Sequence, residues 1–303
     1  MKYAVIGMGA VGGYYGSRLA QQGCDVHFLI RSDYEYVLTN GFSVDSYMGS
    51  YVLHDLHVYN DARLMPRCDV VIVAMKTTAN SQLPMILGPI LKPDSTIILM
   101  QNGIGVEADV QRMFPDIQLV SGVAFINCMK VGPGRLLHKG YGNLTLGNYS
   151  CHGGAVIEAV AEDFSASGVR TEVADYLESR WRKAVLNLAT NGMTVVHNCL
   201  CDELISNPVT CNIVRELLME GIRTAQACGV QGLTDEVADK MIATTGKTHF
   251  ATSMKYDFDH HQPMEIRYLY TNPIREAETH GVEVPNLRRL HQQLIALQPI
   301  QES

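Results

Sequence analysis

A polar stripe interrupts an otherwise apolar stretch in the second half of the chain, in the segment WRKAVLNLATNGM. Lys183, Asn187 and Asn191 are spaced four residues apart, so they fall along one face of a predicted helix. Asparagine is a mediocre helix former, and its repetition in mid-helix indicates a role for the side chains. A lysine beside amide donors can hold a carboxylate and polarise a carbonyl, the two groups of a 2-oxo acid. The alternative is a solvated helix face.

Two further candidate side chains follow in the segment ATSMKYDFDHHQPMEI. Ser253 could hold a substrate carboxylate or hydroxyl, and Glu265 could orient Lys183. Taken alone, each of these residue types is typical of a protein surface. Their assignment to a site therefore depends on the neighbouring stripe.

A second chemical signal lies at the start of the chain, in AVIGMGAVGG. Its GxGxxG pattern follows a predicted strand and opens a predicted helix, which is the context of a dinucleotide-binding turn. In such a turn the three glycines permit the tight bend, the approach of the pyrophosphate and close helix packing. The predicted cofactor-binding turn comprises Gly7, Met8, Gly9, Ala10, Val11 and Gly12. The alternative is an ordinary tight turn.

The residues after the next strands indicate which dinucleotide binds. The strand DVHFLI ends in Arg31 and Ser32, where an NAD site usually has an acidic residue. A cation and a hydroxyl suit a 2′-phosphate, so NADP(H) is favoured, unless Arg31 is simply a solvated loop residue. Lys76 and Asn102 follow two later strands, where a doubly wound sheet binds its ligands. We expect Lys76 near the adenosine phosphate or ribose and Asn102 near the nicotinamide.

The elements that position these residues change in character along the chain. Up to about Gly147, short β-branched runs alternate with helical stretches, which predicts a parallel sheet covered by helices. The predicted strands are Lys2–Ile6, Asp25–Ile30, Val70–Ala74, Thr96–Met100 and Leu119–Ala124. Two alternating runs in Gly134–Gly147, separated by glycines, predict a hairpin-like antiparallel addition.

Beyond about residue 174, long helical patterns predominate. The predicted helices are Tyr176–His197, Pro208–Cys228, Asp235–Thr245 and one around Asn286–Leu297. The sequence therefore predicts a nucleotide-binding domain over residues 1–174 and a helical substrate domain over residues 175–303.

Composition narrows the class of protein and its partners. Of the 303 residues, 47% are hydrophobic and 18% are charged, which is typical of a soluble globular protein. The net charge of −7 without basic blocks argues against nucleic acid or an anionic membrane as a partner. Eight scattered cysteines, no leader and no long apolar stretch predict a cytoplasmic protein with reduced thiols.

Metal-ligand residue types occur in HNCLC, which contains His197, Cys199 and Cys201, and in the pair His260 and His261. They lack the paired spacing of structural zinc sites. The sequence therefore predicts no metal site, with core thiols and a helix-end histidine as the interpretation.

The motifs together resemble the ketopantoate reductase (2-dehydropantoate 2-reductase) family, collinearly over essentially the whole chain. The resemblance rests on GxGxxG, Arg31, MK at 75–76, QNGIG at 101–105, RWRKAVLNLATN at 180–191, SMKYD at 253–257, MEI at 264–266 and HGVEVP at 280–285. It implies an N-terminal Rossmann-type doubly wound sheet followed by an all-α domain like the C-terminal domain of 6-phosphogluconate dehydrogenase. The implied reaction is NADPH-dependent reduction of 2-dehydropantoate to pantoate, towards pantothenate and coenzyme A.

The resemblance also implies roles for individual residues. Lys183 matches the proton donor, and Glu265 matches the acidic residue near the nicotinamide ribose and the catalytic lysine. The matches to substrate contacts are Asn102, Asn187, Asn191 and Ser253. Cofactor contacts are implied for the glycine turn, Arg31, Lys76, Asn102 and Glu265. A homodimer is also implied by the family.

Departures from the family pattern concern the substrate. Cys201 stands where the family commonly has another substrate-contacting asparagine, and the segment around Glu265 reads Met264-Glu265 followed by YTNP at 270–273. One alternative is therefore a reductase of another branched or aromatic 2-oxo acid on the same scaffold. A second alternative is a non-catalytic NADP(H) sensor, against which the Lys183 stripe argues.

Overall fold

The computed structural model describes residues 1–298 and divides into two compact units. The first unit comprises Met1–Gln101 and Val106–Tyr176. The second comprises Asn102–Gly105 and the chain from Leu177 onward. The four-residue segment thus groups with the helices of the second unit although it interrupts the first unit in sequence. The change of sequence pattern near residue 174 does not predict that Asn102–Gly105 groups with the second unit.

The first unit is built on a ten-stranded sheet. Its strands are β1 (Lys2–Ile6), β2 (Asp25–Leu29), β3 (Phe42–Ser46), β4 (Tyr51–Leu53), β5 (His57–Tyr59), β6 (Cys68–Val73), β7 (Leu91–Leu99), β8 (Gln118–Gly132), β9 (Arg135–Asn148) and β10 (Thr171–Val173). The order across the sheet is β4-β3-β9-β8-β7-β6-β1-β2-β5, and β10 pairs with β9. The five predicted strands are all present, with β7 and β8 longer than predicted.

The sheet is mixed. The sequence predicted a parallel sheet with an antiparallel addition at residues 134–147, and the antiparallel pairs that form differ from that addition. The run from β8 through β7, β6, β1 and β2 to β5 is parallel, whereas β8 pairs antiparallel with β9 and β3 with β4. Residues 134–147, predicted as two short runs, lie mostly in the single strand β9. The glycines that suggested a turn lie at register shifts: Gly142, at a φ of +115°, is skipped between the pairs Ile126 to Tyr141 and Phe125 to Asn143. These glycines allow bulges within one strand.

Helices cover the sheet because successive strand residues alternate between its two faces. The helices of this unit are α1 (Ala10–Gln21), α2 (Tyr34–Asn40), α3 (Leu83–Leu87), α4 (Val106–Met113) and α5 (Ala155–Ala166). On one face, strand residues such as Tyr3 and Val5 share a core with Tyr15 of α1 and Phe164 of α5. Their neighbours Ala4 and Ile6 are also fully buried, as is typical of central parallel strands covered on both sides.

The second unit is helical. Its elements are α6 (Tyr176–Val196), α7 (Cys201–Ser206), α8 (Pro208–Ala227), α9 (Asp235–Thr245), α10 (Ser253–Asp259), a π-helix (Arg267–Thr271), α11 (Asn272–Thr279) and α12 (Pro285–Leu297). The four predicted helices match α6, α8, α9 and α12 to within one residue at each end. The short elements α7 and α10, the π-helix and α11 were not predicted.

The core of the second unit forms around α6, whose buried side chains include Trp181, Val185 and Leu188. Helices α8 and α12 contribute further apolar residues, and Glu220 of α8 is buried with them. Its carboxylate accepts hydrogen bonds from the backbone N–H groups of Asn286 and Leu287, at 2.9 and 2.8 Å, and so caps the start of α12. Among the described helices, none combines the length and apolarity required to cross a bilayer.

Candidate active site

The glycine turn is held by contacts between backbone atoms. A Cβ added to Gly7, which has a φ of +95°, would lie 2.9 Å from the backbone nitrogen of Met75. A Cβ on Gly12 would lie 2.1 Å from the carbonyl oxygen of Gly7. Both positions therefore require glycine, because any side chain would push the turn away from β6 or α1 away from the turn.

Gly9 differs from its two partners because nothing lies within 4 Å of the position of an added Cβ. It caps α1, which has no side-chain cap and no acidic residue in its first turn. The first N–H groups of a helix have no acceptor within that helix, and they carry partial positive charge. The turn thus offers open space beside free donors, which fits the pyrophosphate of a dinucleotide.

Lys76 lies at the same edge of the sheet as this turn. It is exposed and immediately follows Met75, the residue that packs against Gly7. Gln101, at the end of β7, donates hydrogen bonds to Met75 O at 2.8 Å and Asn80 Oδ1 at 2.7 Å. Because β1, β6 and β7 are parallel neighbours, their carboxyl ends bring the turn, Lys76 and Gln101 together.

Arg31 and Asp33 differ in their availability at the end of β2. Arg31 is exposed, whereas Asp33 is buried and accepts hydrogen bonds from Lys130 Nζ at 2.7 Å, Gly134 N at 2.9 Å and Ser32 Oγ at 3.0 Å. Burial acts to raise the pKa of Asp33, but these donors outweigh it and hold the pKa below its ordinary value. The acidic group in this region is therefore ionised and committed to the protein.

The predicted stripe occupies one face of α6. Lys183 is half-buried, and burial lowers the pKa of its ammonium to about 8. Asn187 and Asn191 are 7% and 4% exposed. Within residues 1–298, neither side-chain amide makes a hydrogen bond. Buried amides ordinarily have partners, so these two are free to bind a ligand.

Tyr270 of the π-helix anchors the end of this stripe. Its hydroxyl accepts a hydrogen bond from Gly192 N at 2.6 Å and donates one to Asn187 O at 3.4 Å. A Cβ on Gly192 would lie 2.7 Å from that hydroxyl oxygen. A glycine next to Asn191 thus lets the tyrosine reach the backbone of α6. A π-helix frequently marks a functional position.

The segment that carries Asn102 is fixed to the same π-helix. Ile104 N donates to Tyr268 O at 2.9 Å, and Asn272 Nδ2 donates to Ile104 O at 2.9 Å. Gly103, at a φ of +105°, approaches so closely that an added Cβ would lie 2.5 Å from Tyr268 O. Glu265 precedes this π-helix by two residues and is 6% exposed. Asn102 and Glu265 are therefore carried by segments that meet at one element.

Ser253 is brought towards α6 by its neighbour. Thr252 caps α10 and shares a 2.8 Å hydrogen bond with Thr194, whose hydroxyl also lies 2.9 Å from Asn191 O. Ser253 itself is exposed at the first position of α10. Cys201 is buried, and burial raises its thiol pKa to about 12, so the thiol stays protonated.

The candidate residues thus divide between the two units. The glycine turn, Arg31 and Lys76 lie on the first unit, whereas the other six lie on the second. These six are Asn102, Lys183, Asn187, Asn191, Ser253 and Glu265. Sequence reasoning missed Tyr270, Thr194 and the Asp33 to Lys130 pair, since long-range contacts define them. The one available signal was Asp33 itself, two residues after Arg31.

The chain matches two family models. "Ketopantoate reductase PanE/ApbA" matches residues 3–150, and "Ketopantoate reductase PanE/ApbA C terminal" matches residues 175–298. A protein named 2-dehydropantoate 2-reductase from Nostoc sp. is 39% identical over 301 residues, which cover 97% of this chain and 94% of that protein.

Solved structures agree at the level of the whole chain. The crystal structure of a 2-dehydropantoate 2-reductase from Geobacter metallireducens is 30% identical with a TM-score of 0.94, and the match covers 98% of this chain and 99% of that one. A D-mandelate dehydrogenase solved with NADH and anilino(oxo)acetate is 22% identical with a TM-score of 0.89, over 98% of both chains. The second likeness is one of fold alone.

Proposed function

The chain belongs to the ketopantoate reductase family, and on that premise we propose that it catalyses the NADPH-dependent reduction of 2-dehydropantoate to pantoate, in the biosynthesis of pantothenate and coenzyme A. The observation that carries this proposal is the pair of buried amides on Asn187 and Asn191, which make no hydrogen bond within the described chain and share a helix face with Lys183. This face offers two amides for a carboxylate and an ammonium for a carbonyl oxygen.

Lys183 is the proton donor in this proposal. With a pKa of about 8, most of Lys183 is in the ammonium form at neutral pH, and its proton is easier to release than that of an exposed lysine. It hydrogen-bonds the carbonyl oxygen and transfers its proton there as negative charge develops. The bound cofactor supplies the hydride for the adjacent carbon. Glu265, buried beside the π-helix, orients Lys183, and Asn102 and Ser253 contact the substrate.

The preference for NADP(H) over NAD(H) rests on the charges at the end of β2. Arg31 is exposed there, whereas the charge of Lys130 is balanced by the carboxylate of Asp33. Asp33 is committed to Lys130 and Gly134, so its carboxylate is not open to accept hydrogen bonds from a ribose 2′-hydroxyl. The guanidinium of Arg31 therefore favours a 2′-phosphate. Lys76 and the glycine turn complete the proposed cofactor site.

The alternative substrate is another branched or aromatic 2-oxo acid. It is favoured by Cys201, whose protonated thiol is a weak hydrogen-bond partner, and by the altered segment 264–273, which contains the π-helix. These differences would reshape the substrate pocket without removing Lys183. The homodimer and the cytoplasmic location stay predictions.

The experiment is a comparison of substrates with the full-length protein. NADPH oxidation is followed with ketopantoate, 2-oxoisovalerate, phenylglyoxylate and pyruvate, and each assay is repeated with NADH. We expect the highest kcat/KM with ketopantoate and NADPH. A higher value with another 2-oxo acid would select the alternative reductase, and tight NADPH binding without any turnover would leave the non-catalytic sensor.

A further inference from the structure

Three side chains with metal-binding donors meet in the second unit, where α8 and α11 end. Cys228 Sγ lies 4.0 Å from Glu276 Oε2 and 3.9 Å from His280 Nδ1, and the three donor groups lie within 4.8 Å of one another. Cys228 and Glu276 are half-buried, and His280 is exposed, so the cluster is open to solvent on one side. Thiolate, carboxylate and imidazole are the three ligand types that proteins use for zinc.

We propose that Cys228, Glu276 and His280 form a binding site for one divalent transition-metal ion, with Zn²⁺ as the best match and water as the fourth ligand. With Zn–S of about 2.3 Å and Zn–N of about 2.0–2.1 Å, a tetrahedral ion holds its sulfur and nitrogen ligands about 3.5 Å apart. The observed separation of 3.9 Å is close to this value.

The ends of two helices favour a cation at this place. Cys228 is the C-cap of α8 and His280 is the C-cap of α11, and each is followed by a glycine of positive φ, Gly229 at +98° and Gly281 at +68°. A helix carries partial negative charge at its C-terminus. The two termini, together with the carboxylate of Glu276, give the cluster a negative potential.

The ring of His280 is already oriented by its own helix. Its Nδ1 lies 2.9 Å from the carbonyl oxygen of Glu276, which fits donation of a proton from Nδ1 to that oxygen. The 3.9 Å separation from the Cys228 sulfur is also to Nδ1, so Nδ1 is the ligand atom in this proposal. Metal binding then replaces the hydrogen bond from Nδ1 to Glu276 O.

Binding also changes the protonation of Cys228. Burial, and then the charge of Glu276, raises the pKa of this thiol to about 11, so it is protonated at neutral pH. When the ion binds, the S–H proton passes to solvent and a metal–thiolate bond forms, without any change of oxidation state. The cation compensates the repulsion between thiolate and carboxylate.

The sequence predicted no metal here because its donors show no motif. Cys228 is separated from Glu276 by 48 positions and from His280 by 52. The residues considered at that point, His197, Cys199 and Cys201, do not form such a group in the described chain. Within residues 1–298, the cluster on α8 and α11 is the one set of three donors that meets this distance.

The test is a titration of the full-length protein, without cofactor, with Zn²⁺ against a chromogenic chelator, and with Co²⁺ as a spectroscopic probe. Cys228→Ser and His280→Gln remove one ligand each. Cys211→Ser is the matched control, because Cys211 is also half-buried on α8 but lies outside the cluster. Since His280 is exposed, its replacement leaves the core of the unit intact.

We expect one Zn²⁺ per chain and a thiolate-to-cobalt charge-transfer band in the wild-type protein and in Cys211→Ser. Both cluster variants should bind at least about tenfold more weakly, and Cys228→Ser should lose the band. Wild-type affinity in both cluster variants, or a cobalt complex without a thiolate band, would overturn the proposal. This outcome is independent of reductase activity, because neither cofactor nor 2-oxo acid is present.

Discussion

The glycine turn of the first unit presents backbone atoms, whereas the polar face of α6 in the second unit presents side chains. The turn depends on its backbone, because Gly7, Gly9 and Gly12 have no side chains to fill the space around it. The α6 face works through side chains, which other elements hold in place through Tyr270 and Thr194. A backbone site can be recognised within a few residues, whereas a side-chain site depends on contacts distant in sequence.

The largest effect should come from removing the proposed proton donor. Lys183→Ala should lower kcat by about 10²–10⁴-fold, the usual contribution of a general acid, while NADPH binding stays intact. Arg182→Ala is the matched control, because Arg182 is an exposed cation one residue away that bonds Glu178 and Gly232 O. Steady-state kinetics and cofactor fluorescence measure the two properties. Full turnover by Lys183→Ala would remove the lysine from the mechanism.

The next largest effect separates packing from cofactor binding within the glycine turn. Gly12→Ala should lower the free energy of unfolding by about 3 kcal/mol, because its Cβ would lie against the carbonyl oxygen of Gly7. Gly9→Ala should change it by less than about 1 kcal/mol, because nothing occupies that space, and should weaken NADPH binding. Urea unfolding and cofactor titration provide the measurements. Equal stability of the two variants would contradict the assigned division of roles.

Cofactor choice should depend on one exposed side chain of the first unit. Arg31→Asp should lower the ratio of NADPH to NADH affinity by about 10–100-fold, because a charge-assisted contact to the 2′-phosphate is lost and a repulsive charge is added. Arg67→Asp is the matched control. It makes the same charge change on an exposed residue just before β6, at the amino end of that strand and not at the carboxyl end where the cofactor site is proposed. Affinities for both cofactors are needed for both variants. If the two variants lower the ratio equally, a general charge effect replaces the specific contact.

The smallest effect concerns Asn102–Gly105, the segment that groups with the second unit although it interrupts the first unit in sequence. Asn272→Ala removes the hydrogen bond to Ile104 O and should cost about 1 kcal/mol of unfolding free energy. It should also raise the KM for the substrate, because the segment carries Asn102. Asn212→Ala, which loses only an exposed contact to Glu216, should cost less than about 0.5 kcal/mol. An unchanged KM in Asn272→Ala would show that this anchor does not position Asn102.

The same comparison explains what could be predicted from the sequence. Strong periodicity predicted α9 at its observed ends and α6 to within one residue. The tight glycine turn was predicted from the six residues 7–12 and their flanks. An antiparallel addition was predicted at residues 134–147, but as two short runs. Neither the long strand β9 nor its pairing with β8 was predicted, because Gly140 and Gly142 can belong to a bulge as well as to a turn.

The features that the sequence did not predict depend on contacts that form only when the chain folds. No local pattern shows that Asn102–Gly105 belongs with the helices, since its partners Tyr268 and Asn272 lie more than 160 positions away. The π-helix depends on an irregular backbone that periodicity does not describe. The roles of individual site residues stay predictions until the variants above are measured.

The pH dependence of the reaction tests the central claim most directly. With saturating NADPH, kcat/KM for ketopantoate should fall about tenfold per pH unit above pH 8, because the ammonium of Lys183, with its pKa of about 8, loses the proton it must donate. Below that pH the group is protonated and the profile should be flat with respect to it. The residual activity of Lys183→Ala should lack this descending limb. A wild-type profile that stays flat through pH 8, or the same limb in the variant, would contradict the assignment of Lys183 as the proton donor.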